Sequence, residues 1–327
     1  MTPSNLEIIE FCNKIADDQL TLDEIRVKIL NGIYTLDEIE ECIRDSNLSR
    51  ETFEIIKRYL NFNVPLDYYD FKDYTPLLHD RTDIYVLGNW NSGKSTFLAS
   101  LFSYLNRNGL LHENAHSLAG THYKNNLQFG FDLGFFPQEG FSGVNYICCD
   151  IVKPINNQVH PLNIIEIRAS ASDYSLELIN FLKNNNPKIL FFIIDFNEKR
   201  DYNYNHCGNL ISLLSRIKEV TLQHTTSINL IITKCDLFPK GEDPILFATK
   251  YLDKNYLSLM YCFKEIQSKY MCEFRIKVFP YSVGELSLNS TYIKDRNNFW
   301  PKMIIDEIVS TTFYKKKSTG FFSRFFK

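Results

Sequence analysis

Gly88-Asn89-Trp90-Asn91-Ser92-Gly93-Lys94-Ser95-Thr96 is a complete G-x-x-x-x-G-K-[ST] run, and its flanks decide how this chain folds. Ahead of it lies Ile84-Tyr85-Val86-Leu87, a short apolar β-type run. Behind it Phe97, Leu98, Leu101, Phe102 and Leu105 share one face of a helix. Strand, glycine turn and helix in that order predict a phosphate-binding loop. Gly88 and Gly93 let backbone N–H groups curl around phosphate oxygens, with Asn89, Trp90, Asn91, Ser92 and Thr96 completing the cradle. Lys94 is placed to neutralise phosphate charge, Ser95 to offer its hydroxyl to Mg²⁺, and the helix N-terminus adds partial positive charge.

Outward from this loop, apolar runs alternate with helical patterns. Val144–Val152 and Leu162–Ile167 read as two strands joined by a Pro/Asn turn. Lys188–Asp195 is nearly unbroken apolar sequence, the mark of a central strand buried on both faces, and Ile228–Thr233 is similar. Arg275–Tyr281 supplies a last strand. Helices are expected at about 173–184, 207–221, 244–270 and 299–312. The stretch 108–143, rich in Gly, Asn and His, reads as a long irregular loop. The fold class expected is α/β: a doubly wound, mostly parallel sheet with a small all-α segment ahead of it.

That segment differs in charge. Residues 1–80 carry 17 acidic and 8 basic side chains, whereas the whole chain has a net charge of −3. Thr21-Leu-Asp-Glu-Ile and Thr35-Leu-Asp-Glu-Ile repeat after 14 residues, and each is a capping box with Thr at the N-cap and Glu three residues on. A further helix starts near Ser49, and 61–80 reads as a linker. The organisation expected is therefore 1–80 helical segment and linker, 81–314 phosphate-loop domain, and 315–327 tail. The tail places five cations and four Phe within 13 residues, a pattern suited to weak attachment at an anionic membrane or to a partner. The overall charge argues against a nucleic-acid partner. Eight Cys without C-x-x-C or zinc spacing, and no signal peptide, suggest a reduced cytoplasmic protein, peripheral to the inner face of a membrane if the tail anchors it.

Thr233-Lys234-Cys235-Asp236 follows the strand Ile228–Thr233 directly, 137 residues beyond Thr96. With the phosphate loop, it makes residues 82–312 resemble the TRAFAC class of GTPases, the Ras/Arf/Rag-like switch proteins, whose [NT]-K-x-D signature sits there. The longer helical insert and altered third motif look more like divergent bacterial members than eukaryotic small GTPases. The resemblance implies GTP or GDP with Mg²⁺ as cofactors. It implies that a buried Asp236 accepts from the guanine N1 and N2 groups while Lys234 lays its stem along the base. Ser282 and Val283, in Tyr281-Ser282-Val283-Gly284, stand where the family has its guanine-contacting loop.

The family's D-x-x-G reads here Glu166-Ile167-Arg168-Ala169, so Glu166 becomes the Mg²⁺-side carboxylate. Ala169 lacks the backbone freedom of Gly, and Ser170 stands where some members carry a water-orienting Gln. Arg168 faces solvent or clamps phosphate. The switch-one hydroxyl is Ser142, in a run resembling T-x-G-F-N, or else Thr121, with Ser142 preferred; Lys94 and Ser142 form the candidate catalytic pair. Asp195 resembles a structural Asp of the family. The implied function is a slow guanine-nucleotide switch acting on a protein effector or paired module. The alternative is a hydrolysis-deficient, nucleotide-loaded scaffold.

Overall fold

Strand β1 (Thr82–Gly88) can occupy the middle of a sheet because every one of its residues is buried. It pairs in parallel with β4 (Gln158–Ile167) on one side and β5 (Lys188–Asp195) on the other. Outward from β5 lie β6 (Thr225–Thr233) and β7 (Arg275–Pro280), also parallel. Outward from β4 lie β3 (Val144–Lys153) and the short β2 (Leu111–Glu113), both antiparallel to their neighbours. The seven-stranded order is β2-β3-β4-β1-β5-β6-β7, the doubly wound, mostly parallel sheet expected. This computed structural model describes residues 3–62, 76–89, 91–114, 116–137, 144–153, 157–167, 183–196, 204–270 and 274–312. The helix expected at 173–184 and the tail 315–327 fall almost wholly outside these residues.

Alternation along the central strands fills both faces. Ile84, Val86, Ile189, Phe191 and Ile193 point to one face, under α5 (Lys94–Arg107), α6 (Leu118–Asp132) and α10 (Phe299–Thr312). Tyr85, Leu87, Leu190, Phe192 and Ile194 point to the other, under α7 (Tyr204–Thr221), α8 (Pro244–Asn255) and α9 (Leu257–Tyr270). The helical region expected at 244–270 is thus two helices, with Tyr256 between them.

Two elements depart from the sequence reading. The stretch 108–143 is not wholly irregular, since it holds β2 and the 15-residue α6. Gly120 and Gly130 report close approach rather than a loop. A Cβ on Gly120 would collide with the Tyr146 carbonyl of β3, and one on Gly130 would meet the Phe62 ring at 2.9 Å. Ser117 caps the helix, accepting from the Gly120 N–H at 3.1 Å and donating to the Tyr146 carbonyl at 3.3 Å. The second departure is a hairpin after the last expected strand, β8 (Gly284–Ser287) with β9 (Tyr292–Arg296). Its turn runs through Leu288, Asn289 and Ser290, all with positive φ.

Four helices precede the sheet: α1 (Asn5–Ala16), α2 (Leu22–Leu30), α3 (Leu36–Cys42) and α4 (Arg50–Asn61). Both expected capping boxes form, at Thr21/Glu24 and Thr35/Glu38, and a third forms at Ser4/Glu7. Phe11, Ile25, Ile39, Phe53 and Ile56 make the layer's own core. Phe135 and Leu288 join that core from the α/β part. Leu22 N–H donates to the Thr291 hydroxyl at 2.9 Å, and Asn289 N–H to the Asp18 carboxylate at 2.7 Å.

The amino edge of the sheet is closed by polar groups. Asp83 is fully buried, accepting at Oδ1 from Asn163 and Asn186 and at Oδ2 from Asn184, at 2.8–2.9 Å. Lys188, also fully buried, lies 3.9 Å from Asp83 and donates to Asn184 and Asn186. Desolvation pulls its ammonium from an ordinary 10.5 down to about 8, with Asp83 opposing.

Two expectations follow from this packing. Gly120→Ala forces α6 off β3 and should lower unfolding free energy by about 1–3 kcal/mol in urea titration; an unchanged midpoint would mean that α6 does not sit against Tyr146. For Lys188, burial penalises the charged form below about pH 8. Between there and the ordinary value the unfolded chain binds more protons, so this group's contribution to stability rises with pH. The stability of wild type relative to Lys188→Met should therefore increase between about pH 7.5 and 10, and a constant difference would refute the burial.

Candidate nucleotide site

Because β4, β1, β5, β6 and β7 run parallel, their carboxyl ends share one edge, where ligands of such sheets gather. Gly88, Glu166, Asp195, Thr233 and Pro280 sit at or beside those ends. Among the sequence-expected residues, Ser95 bonds to Glu166 and Thr233 to Ser92 at this edge.

The phosphate loop is built by exclusion of side chains. A Cβ on Gly88 would lie 2.6 Å from the Ile193 carbonyl and 2.6 Å from the Ser92 hydroxyl. Gly93 has φ +91°, a left-handed conformation that disfavours any side chain. Asn91, exposed, also takes positive φ, as short polar residues do. Gly93 is the N-cap of α5, and no side chain caps that end or places an acid in its first turn. The helix N-terminus therefore keeps backbone donors for an anion. Ser92 Oγ is buried with no hydrogen-bond partner among the described residues, as expected in a cradle shaped for a ligand. Lys94, buried, turns back to donate to the Gly88 and Asn89 carbonyls at 3.1 and 2.7 Å. Its charge thus stays inside the loop. Trp90 lies outside the described residues.

Thr233 ties the second motif to the first, donating to the Ser92 carbonyl at 3.0 Å. Lys234, with φ +60°, swings its ammonium 3.7 Å from the buried Asp195 carboxylate. Asp195 ends β5, where its backbone carbonyl accepts from the Tyr251 hydroxyl at 3.4 Å. Asp236 sits on the 3₁₀ turn Cys235–Leu237 and is exposed, not buried as expected. The turn buries Phe238 instead, leaving the Asp236 carboxylate at the rim. Cys235 N–H donates to the Tyr281 carbonyl at 3.1 Å, joining this turn to the loop of Ser282 and Val283. Ser282 is buried, and the Val283 carbonyl accepts from Asn297 N–H at 2.8 Å.

Ser95 and Glu166, assigned to the metal from opposite ends of the motif set, meet directly: the Ser95 hydroxyl donates to Glu166 Oε1 at 2.8 Å. Glu166 has no solvent exposure, and its Oε2 accepts from the Tyr123 hydroxyl at 2.5 Å and Asn145 Nδ2 at 3.2 Å. Two hard oxygens on one spot beside Lys94 fit Mg²⁺, which takes few protein ligands and completes its shell with phosphate and water. Among the described residues no group of three His, Cys, Asp or Glu could hold a metal by itself.

Sequence reading missed Tyr123 and Asn145. The Asn145 signal was there: it faces Glu166 across the antiparallel β3–β4 pair. Tyr123 belongs to a helix that was not expected. Thr121 lies in that helix, donating to the Ser117 carbonyl of its own first turn at 3.0 Å. Its hydroxyl is thus on a helix rather than in the irregular loop expected there. Ser142, Arg168, Ala169 and Ser170 lie outside the described residues.

Cys12, Cys42, Cys148 and Cys149 are buried free thiols, in keeping with small apolar residues. Among the described residues no helix is long and apolar enough to cross a membrane.

No protein-family model and no curated protein matches this chain. Solved structures similar to it include a chain from a study of the chloroplast translocon GTPase components atToc33 and psToc159, at 14% identity and TM-score 0.40, covering 75% of this chain and 86% of that one. Toc33 from Arabidopsis thaliana in complex with Mg²⁺ and GMPPNP matches at 14% identity and TM-score 0.39, over 74% and 86%. A chain of the signal recognition particle receptor SRb-GTP/SRX complex from Chaetomium thermophilum matches at 11% identity and TM-score 0.39, over 69% and 98%. No residue role in this chain follows from likeness at that level.

Proposed function

We propose that this chain is a guanine-nucleotide-binding switch that holds GTP or GDP with Mg²⁺ at the carboxyl edge of its sheet. One observation carries the reading: an α5 N-terminus free of side-chain caps, behind Gly93, is bonded through Ser92 to the Thr233 that opens T-K-x-D. Backbone donors of the loop and the Lys94 ammonium bind phosphate oxygens. Ser95 and Glu166 would hold the metal, which would supply neutralisation of phosphate charge. Asp236 accepts from the paired N–H donors that guanine has and adenine lacks. Ser282 and Val283 close on the base, because the Cys235–Tyr281 bond holds their loop beside the turn.

Slow hydrolysis belongs to the same reading. Nothing in the sequence at Glu166-Ile-Arg-Ala-Ser supplies a water-orienting Gln. The amino-terminal helices would be the partner-facing piece, and the basic-aromatic tail a weak attachment to an anionic surface.

Fluorescent GTP with Mg²⁺ should bind at least about tenfold tighter than ATP, about 1.4 kcal/mol. Equal affinities would remove the guanine assignment. Lys94→Ala should abolish tight binding of both, and retained binding would remove the phosphate-loop assignment itself. Single-turnover hydrolysis should be slow, on the order of 10⁻³ s⁻¹ or below.

A further inference from the structure

Glu166 has one more rotatable bond than the aspartate usual at such a position, yet it must present one oxygen at a fixed place beside Ser95. A buried carboxylate with an extra torsion holds still only if its other oxygen is fastened. Here the fasteners are specific. Asn145, 3% exposed, reaches Oε2 at 3.2 Å from the neighbouring strand. Tyr123, with no exposure, donates to the same oxygen at 2.5 Å from α6, and its hydroxyl also stands 3.5 Å from Ser95 Oγ. Oε1 is left to face Ser95.

We propose that Tyr123 is a positioning residue for the metal, fixing Glu166 so that Oε1 and the Ser95 hydroxyl form a preset pair of oxygen ligands. The proposal rests on the reading of Ser95 and Glu166 as the metal side of a nucleotide site. Ser95 Oγ and Glu166 Oε1 would hold the cation in place of the hydrogen bond they share, whereas the Tyr123 bond uses the other oxygen, Oε2. The phenol thus works through the carboxylate and not on the nucleotide. Groups that orient a metal ligand in this way typically contribute 10–100-fold in metal affinity. The ring does separate work as a buried member of the core cluster that also holds Phe102, Leu127 and Ile147, and phenylalanine would preserve that packing.

The test separates these two parts. Wild type and Tyr123→Phe are compared as full chains, with Mg²⁺ titrated against bound fluorescent GDP and Mn²⁺ binding followed by paramagnetic resonance. The metal midpoint should rise at least about tenfold in Tyr123→Phe, while nucleotide affinity measured in excess chelator stays within about twofold. The same metal midpoint in both proteins overturns the proposal. So does a loss of affinity that is equal with and without metal, since that marks a packing role. If wild type itself binds GDP with no dependence on Mg²⁺, the metal-site reading fails and takes the proposal with it. Should Tyr123→Phe not fold, Asn145→Ser removes the other bond to Oε2 and is read in the same way, with a smaller shift expected.

Discussion

A carboxylate without access to water must take its hydrogen bonds from protein, and Glu166 takes them from three elements other than its own strand. Ser95 comes from α5, Tyr123 from α6 and Asn145 from β3. That requirement bears on where α5 begins, how close α6 comes to the sheet, and which face of β3 turns inward. Gly120 is the backbone counterpart of the same demand. Only a residue without Cβ lets α6 approach Tyr146 closely enough for Tyr123 to reach over the end of β4.

The two edges of the sheet solve opposite problems. At the amino edge, Asp83 and Lys188 are buried together, and three asparagines satisfy the carboxylate. Breaking one side of such a pair is costly, because the remaining charge has no water to turn to. At the carboxyl edge the polar groups are less completely satisfied. Among the described residues Ser92 Oγ has no hydrogen-bond partner, and Gly93 caps α5 without a side-chain acceptor. The first edge is closed by its own polar groups, while the second leaves the buried Ser92 Oγ unmatched among the described residues.

What could be read from sequence was what is local or periodic. The strands at 188–195 and 228–233 announce themselves because burial on both faces limits polar interruptions, whereas the polar 225–227 start of β6 does not. The capping boxes at Thr21 and Thr35 are legible because each is closed within four residues. The phosphate loop is legible because its glycines and lysine are adjacent in the chain. α6 was hidden because Gly120 and Gly130, which resemble loop residues, are there to admit Tyr146 and Phe62. Tyr123 was hidden because its partner lies 43 residues away, and no spacing rule reports such a contact. The exposure of Asp236 was misjudged because which side of a 3₁₀ turn packs depends on Phe238 finding its pocket.

The Phe62 ring lies over Gly130, and its centroid is 5.0 Å from that of Phe135. Tyr59 approaches the same Phe135 ring edge-on at 5.1 Å. An acidic, self-capped helical layer that looks separable in the sequence is therefore glued to the α/β part by aromatic faces. A fragment starting at β1 would present Phe135 and Leu288 to water, both of which are buried in the full chain. Such a fragment would carry a sticky patch of its own making. Self-association measured on it would report where the chain was cut, not how the intact protein assembles.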